Sequence, residues 1–99
     1  MICISTGQFK NINTTSIIKK LTGKGIRNLE LSAGKFEKNI QKKIIAFSKN
    51  NNLYIHNYFP KPKKDFILNL CSSNKLIKRK SFNHVIRGIN LSSKLGTNI

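Results

Sequence analysis

The sequence predicts an α/β fold, the first three β/α units of an incomplete (β/α)8 barrel, on three observations. Stretches of period-two alternation take turns with stretches of helical spacing in the order β-α-β-α-β-loop-α, which calls for parallel strands joined by right-handed crossovers. On each strand the aliphatic residues share one face, while Cys3/Ser5, Glu30/Ser32 and Tyr54/His56 share the other. The 99 residues form one domain or a piece of one, far short of the roughly 250 that a closed eight-stranded barrel takes.

Each element has its own signal. ICIST alternates into Gly7 as a first strand, with Ile2 and Ile4 on one side. Thr14, Thr15 and Ser16 offer N-cap hydroxyls to a short helix marked by Ile17, Ile18 and Leu21 and stopped by Gly23 and Gly25. RNLELS alternates again, with Leu29 and Leu31 opposite Glu30 and Ser32, and Ala33-Gly34 closes it. Over residues 35–50, Phe36, Ile40, Ile44 and Phe47 recur at helical spacing. LYIHNY forms the third strand, which Pro60 and Pro62 prevent from continuing, and a long loop carrying FILNL follows. A last helix runs from about Asn74 to Lys94, with Ser72 and Ser73 as candidate caps, Leu76, Ile77, Val85, Ile86, Ile89 and Leu95 as its apolar set, and Gly96 as its stop. Residues 97–99 read as the start of a fourth strand.

Barrel and open sheet begin alike, and two features separate them. No Gly-rich phosphate-cradling loop follows the first strand, which removes the best support for an open dinucleotide or P-loop fold. Strands buried on both faces of an open sheet would also be nearly uniformly apolar. In a barrel the aliphatic face packs on the outer helices, and the polar face points inward toward the mouth formed by the C-terminal strand ends. Ser5, Glu30 and His56 all fall late in their strands.

Composition narrows the partners. The formal charge of +16 invites a nucleic-acid reading through phosphate neutralisation. The lysines, however, fall in every segment among abundant Asn and Ile, the bias of an AT-rich coding sequence, and charge alone speaks to solubility and non-specific binding. No run approaches the ~18 apolar residues of a membrane span and no secretory signal opens the chain, so the expectation is a cytoplasmic protein with no membrane partner. Cys3 and Cys71 form neither a metal spacing nor a disulfide framework and read as reduced, mostly structural thiols. His84 lies mid-helix with no acidic neighbour in sequence and reads as a packing or surface residue. Lys61, Lys63 and Lys64 read as a solvated loop run.

The segment YIHNYFPKPKKDFILNL resembles the third-strand region of xylose-isomerase-like barrels, where a His closes the strand and a Pro-rich loop leads to a Leu-Asn-Leu run. It is most similar to the sugar-phosphate isomerase/epimerase branch. ISTG, NLELSAG and the closing KLGTNI add support, so the resemblance covers essentially the whole chain. It implies a TIM barrel of which residues 1–99 are the N-terminal part, and a full-length parent that isomerises or epimerises a sugar or sugar phosphate with a divalent metal. His56, Asn57 and Glu30 would then contact substrate, with His56 also a candidate metal ligand. The remaining ligands and the catalytic acids would lie on later strands, so this piece alone is expected to hold no cofactor, to be inactive and to be only marginally stable. Two alternatives stand beside this reading: a piece of an apurinic-site endonuclease-like barrel, in whose relatives the matching His binds zinc, and a basic nucleic-acid-binding module. The module lacks a helix-turn-helix pattern, zinc spacing or aromatic-interleaved basic strand.

Overall fold

The computed structural model describes residues 2–9, 11–32 and 34–96. Its elements, in chain order, are β1 (Ile4–Ser5), a 3-10 turn (Thr6–Gln8), α1 (Thr14–Gly23), β2 (Asn28–Leu31), α2 (Ile40–Ser48), β3 (Asn52–Ile55) and α3 (Lys75–Leu95). The strands form one parallel sheet in the order β1-β2-β3, with Ile4 opposite Leu29, Ser5 opposite Glu30, and Leu29, Glu30 and Leu31 opposite Leu53, Tyr54 and Ile55. The architecture is thus a small α/β domain with three helices and a three-stranded parallel sheet. Ala33 and residues 97–99, read above as a strand stop and a fourth-strand start, lie outside the described residues.

The alternation of β2 and β3 does what period two requires. Leu29, Leu31, Leu53 and Ile55 are buried on one face and form a single cluster with Ile17, Ile18 and Leu21 of α1, Ile44 of α2, Phe59 of the loop after β3, and Leu91 of α3. Removing these side chains from water is the main stabilising term, at roughly 1.5–3 kcal/mol for each large aliphatic residue. Glu30 and Tyr54, on the other face, are only half-buried.

Several expectations need correcting. β1 is only two residues long, and Ile2 precedes it at 81% exposure, so it faces no helix. α2 starts at Ile40, after a turn in which Asn39 takes a positive φ of 59°, and Phe36 stays outside the helix at 47% exposure. Helical spacing from Phe36 to Ile40 was satisfied by chance, because that left-handed residue starts the helix anew. β3 ends at Ile55, and His56, Asn57 and Tyr58 lead into a turn that ends at a cis Phe59–Pro60 bond.

The caps also differ. α1 is entered from Asn13, whose side chain makes no capping bond. Glu37, 22 residues away in sequence, accepts the Thr15 N–H at 3.2 Å and also the Thr15 hydroxyl, and Lys43 of α2 donates to it at 2.9 Å. A carboxylate at a helix N-terminus satisfies orphan donors and meets the positive end of the dipole. At α3 the cap is Asn74, accepting from Leu76 N–H at 3.0 Å and Ile77 N–H at 3.2 Å, while Ser72 supports the Asn74 N–H. Gly96 ends α3 with a φ of 71°, the left-handed stop that the sequence predicts.

α3 turns inward a side on which small residues stand beside its large ones, Leu95 packing against the core and Ile77 and Val85 half-buried. Ser81, His84, Gly88, Leu91 and Ser92 are buried, whereas Leu76, Ile86 and Ile89 are exposed. Small residues let the helix come close: a Cβ at Gly88 would lie 3.4 Å from Phe59 O and 3.8 Å from Ile55 Cγ2. No helix among the described residues is long and apolar enough to cross a membrane.

Candidate functional site

The sheet register brings Ser5, Glu30 and Tyr54 into one row across β1, β2 and β3. Ser5 Oγ donates to Glu30 Oε1 at 3.1 Å and accepts the Gly7 N–H at 3.1 Å, so the hydroxyl is fixed on both sides and orients the carboxylate. Just beyond the strands, Thr6 is fully buried, and its hydroxyl donates to Ser32 O at 2.7 Å and accepts the Ser32 N–H at 2.9 Å. This side chain continues the β1–β2 ladder where the backbone of β1 has already turned into the 3-10 segment. The C-terminal end of the sheet is thereby held together beneath the polar row.

His56 follows β3 directly, and its N–H donates to Leu31 O at 3.0 Å, so the backbone is still in ladder register there. Its side chain and that of Asn57 are exposed, and neither makes a hydrogen bond among the described residues. Of the three predicted site residues, Glu30 thus lies in a hydrogen-bonded row, and His56 and Asn57 stand at the same end of the sheet as free polar groups. Cys3 lies near Glu30, and burial together with that carboxylate pushes its thiol up, keeping it protonated. Both cysteines are free and exposed, so neither is a packed structural thiol.

An oriented carboxylate with remaining acceptor capacity, a tyrosine ring opposite it and an imidazole beyond the strand end can hydrogen-bond a polyhydroxylated ligand or contribute donors to a cation. Among the described residues no group of three His, Cys, Asp or Glu side chains is placed to hold a metal ion. Glu30 and His56 would therefore form only part of a ligand set.

Glu37, Asp65 and His84 make structural contacts away from this row. For Glu37, burial pushes the carboxyl up, but hydrogen bonds from the Thr15 hydroxyl, Lys43 and the Thr15 N–H outweigh it and hold the group below the usual carboxylate range. Asp65 lies 3.5 Å from Lys61 and 3.3 Å from the Tyr58 hydroxyl, which in turn accepts the Phe66 N–H at 3.1 Å. His84 is 3% exposed, with its ring 4.9 Å from that of Tyr58 and 5.8 Å from that of Phe66. Its buried Nε2 has no hydrogen-bond partner, and burial, reinforced by Arg87, lowers its pKa and keeps it neutral.

Tyr54 stood on the polar face by alternation but outside the candidate site residues, and Thr6 was not anticipated. Tyr54 becomes part of the row through the register of β3 against β2, for which period two was a visible signal. Thr6 had no signal at all, because its partner is a backbone group 26 residues away. Comparison of the chain with protein-family models, with curated proteins and with solved structures finds no match.

Proposed function

We propose that this chain is the N-terminal part of a xylose-isomerase-like barrel whose parent isomerises or epimerises a sugar or sugar phosphate with a divalent metal, and that its share of the pocket is the Ser5–Glu30–Tyr54 row with His56 and Asn57. The observation that carries the reading is the division of the sheet into two chemically different faces. The helices cover the aliphatic face, and the opposite face presents an ordered carboxylate that a second helical layer would bury at a cost of several kcal/mol. A barrel interior open at its C-terminal mouth accepts such a row, and an open doubly wound sheet does not.

In this reading Glu30 and His56 supply part of the donor set for the metal, which polarises the substrate's oxygens when bound. Ser5 holds the Glu30 carboxylate toward the ligand, and Asn57 offers an amide to a sugar hydroxyl. The proton-transferring acids come from further β/α units. Manganese ion as a paramagnetic probe, with a panel of aldose and ketose phosphates, tests the proposal by NMR. Because two donors do not retain the ion, weak and unsaturated broadening at the amides of Glu30 and His56 and sugar-dependent shifts at Asn57 are expected, without turnover. Broadening that spares Glu30 and His56, or sugar-phosphate shifts scattered over surface lysines, would sink it.

A further inference from the structure

Residues 56–74, between β3 and α3, run without helix or strand, yet they are fastened to α3 at three places. Connections of this length are uncommon in compact domains and are usually functional or disordered. Phe59 is 1% exposed in the sheet core, beside Gly88 of α3. The Tyr58 and Phe66 rings meet edge to face at 5.6 Å, and both lie against the ring of His84 of α3. The Phe66 N–H donates to the Tyr58 hydroxyl at 3.1 Å and completes this box. Further on, the Asn69 N–H donates to Ser81 Oγ at 2.8 Å, about one helical turn before His84.

Only one of the three fastenings responds to acid. Phe59 is apolar, and the Asn69–Ser81 bond involves no titrating group. His84 is 3% exposed, and its buried Nε2 has no hydrogen-bond partner. An apolar ring would fill the same box without leaving a polar atom unpaired, so what the imidazole adds is the capacity to take a proton. No anion stands ready for the resulting charge. The loop offers Tyr58, a phenol that burial keeps protonated, and Asp65, already engaged by the Tyr58 hydroxyl at 3.3 Å and Lys61 at 3.5 Å. α3 offers Arg87, which opposes a second positive charge, and Lys80, which with Lys64 lines the groove beside Phe66. β3 presents Ile55 toward Gly88, and α2 joins through the apolar core that holds Ile44. The other two of the chain's three carboxylates, Glu30 and Glu37, are occupied in the polar row and at the α1 N-terminus.

We propose that residues 58–69 form an acid-released strap: neutral His84 holds it on α3, and a proton on His84 opens it while Phe59 and the sheet stay in place. Burial and Arg87 hold the docked ring below the usual imidazole range. Docking is therefore complete above that range and is lost as pH falls through the folded value. The opening is local, distinct from a fall in overall stability, and it loosens the chain directly after His56 and Asn57. It stands apart from the sugar-isomerase reading, since it uses no residue of the polar row.

The test is hydrogen exchange by NMR on the 99-residue chain, between about pH 7.5 and about pH 5, with rates referred to those of an unfolded chain at each pH. The Phe66 and Asn69 amides report the strap, and the Asn52 amide, bonded to Arg27 O at 2.8 Å, reports the sheet. Strap protection is expected to fall by up to about tenfold per pH unit, the limit for one proton. Its midpoint should match that of the His84 ring resonance, with sheet protection unchanged. His84→Phe should keep the strap closed throughout, and His84→Leu serves if that variant fails to fold by circular dichroism. Strap protection that is flat with pH, or that falls equally without His84, would overturn the proposal. So would strap and sheet losing protection together, which would make His84 an ordinary core residue.

Discussion

Glu37 and His84 each join elements distant in sequence, and each is largely withdrawn from water, yet they do so in opposite charge states. Glu37 links the α1 N-terminus to α2 as an ion, and its lost hydration is replaced by two donors from Thr15 and one from Lys43. His84 holds the loop after β3 against α3 as a neutral ring tilted against Tyr58 and edge-on to Phe66, with Nε2 unpartnered. The contrast teaches that hydrogen-bond supply decides which state a buried group keeps. Where donors converge, the charge stays; where only ring faces are offered, the group sheds it.

The largest expected effect strikes the Glu37 side. Gly34 has a φ of 86°, and a Cβ there would lie 2.6 Å from Thr14 Oγ1, in the first turn of α1. Gly34→Ala should destabilise the chain by about 1–3 kcal/mol, from left-handed strain plus displacement of Thr14. Urea denaturation checks this, and an unchanged midpoint would show that α1 enters its first turn differently. Glu37→Ala should cost about 1–2 kcal/mol, the size of a lost helix cap, because the Thr15 N–H loses its acceptor. The loss should shrink in acid, where the wild-type carboxyl is itself protonated.

The pH dependence separates the two groups. Both have folded pKa values below their unfolded ones, so each contributes stability that is complete above the unfolded value and is lost as pH falls toward the folded value. For His84 the loss begins near about pH 6.5, and for Glu37 near about pH 4.3. Midpoints measured from pH 8 to 3 should therefore fall in two successive stages. His84→Phe should flatten the upper stage alone and Glu37→Gln the lower stage alone. A His84→Phe chain that still loses stability between pH 7 and 5 would remove the neutral ring from the account.

The smallest effect is expected at the polar row. Glu30→Gln keeps an acceptor for Ser5 on a half-buried surface, so stability should change by less than about 1 kcal/mol. Manganese broadening at His56 should nevertheless weaken. A large destabilisation would class Glu30 with Glu37 as a structural ion.

The strands were legible because alternation is a local property that burial enforces on both β2 and β3, and the same alternation singled out Glu30 and, through register, Ser5. α2 was legible in its body and misread at its start, since a single left-handed residue, Asn39, resets the helical phase without leaving a hydrophobic trace. α3 was legible in extent but not in orientation. Its large aliphatic residues share no single face, and the packing chose the side with Gly88 and Ser81, where the backbone of the loop after β3 approaches.

By itself, then, the sequence determined the alternation of strands and helices, the aliphatic and polar faces of its strands and the stop at Gly96, each of which depends on neighbours within a few residues, and the strand-helix order in turn called for parallel strands. Tertiary structure alone decided that Glu37 caps α1, that Thr6 closes the sheet end, that His84 is boxed by Tyr58 and Phe66, and that Phe82, Ile86 and Ile89 face outward. Each of these joins residues far apart in the chain, or depends on which of two apolar helix faces finds a partner. A local pattern can mark a group as apolar, basic or hydrogen-bonding, but the neighbour that satisfies it is selected only when the chain is brought together in space.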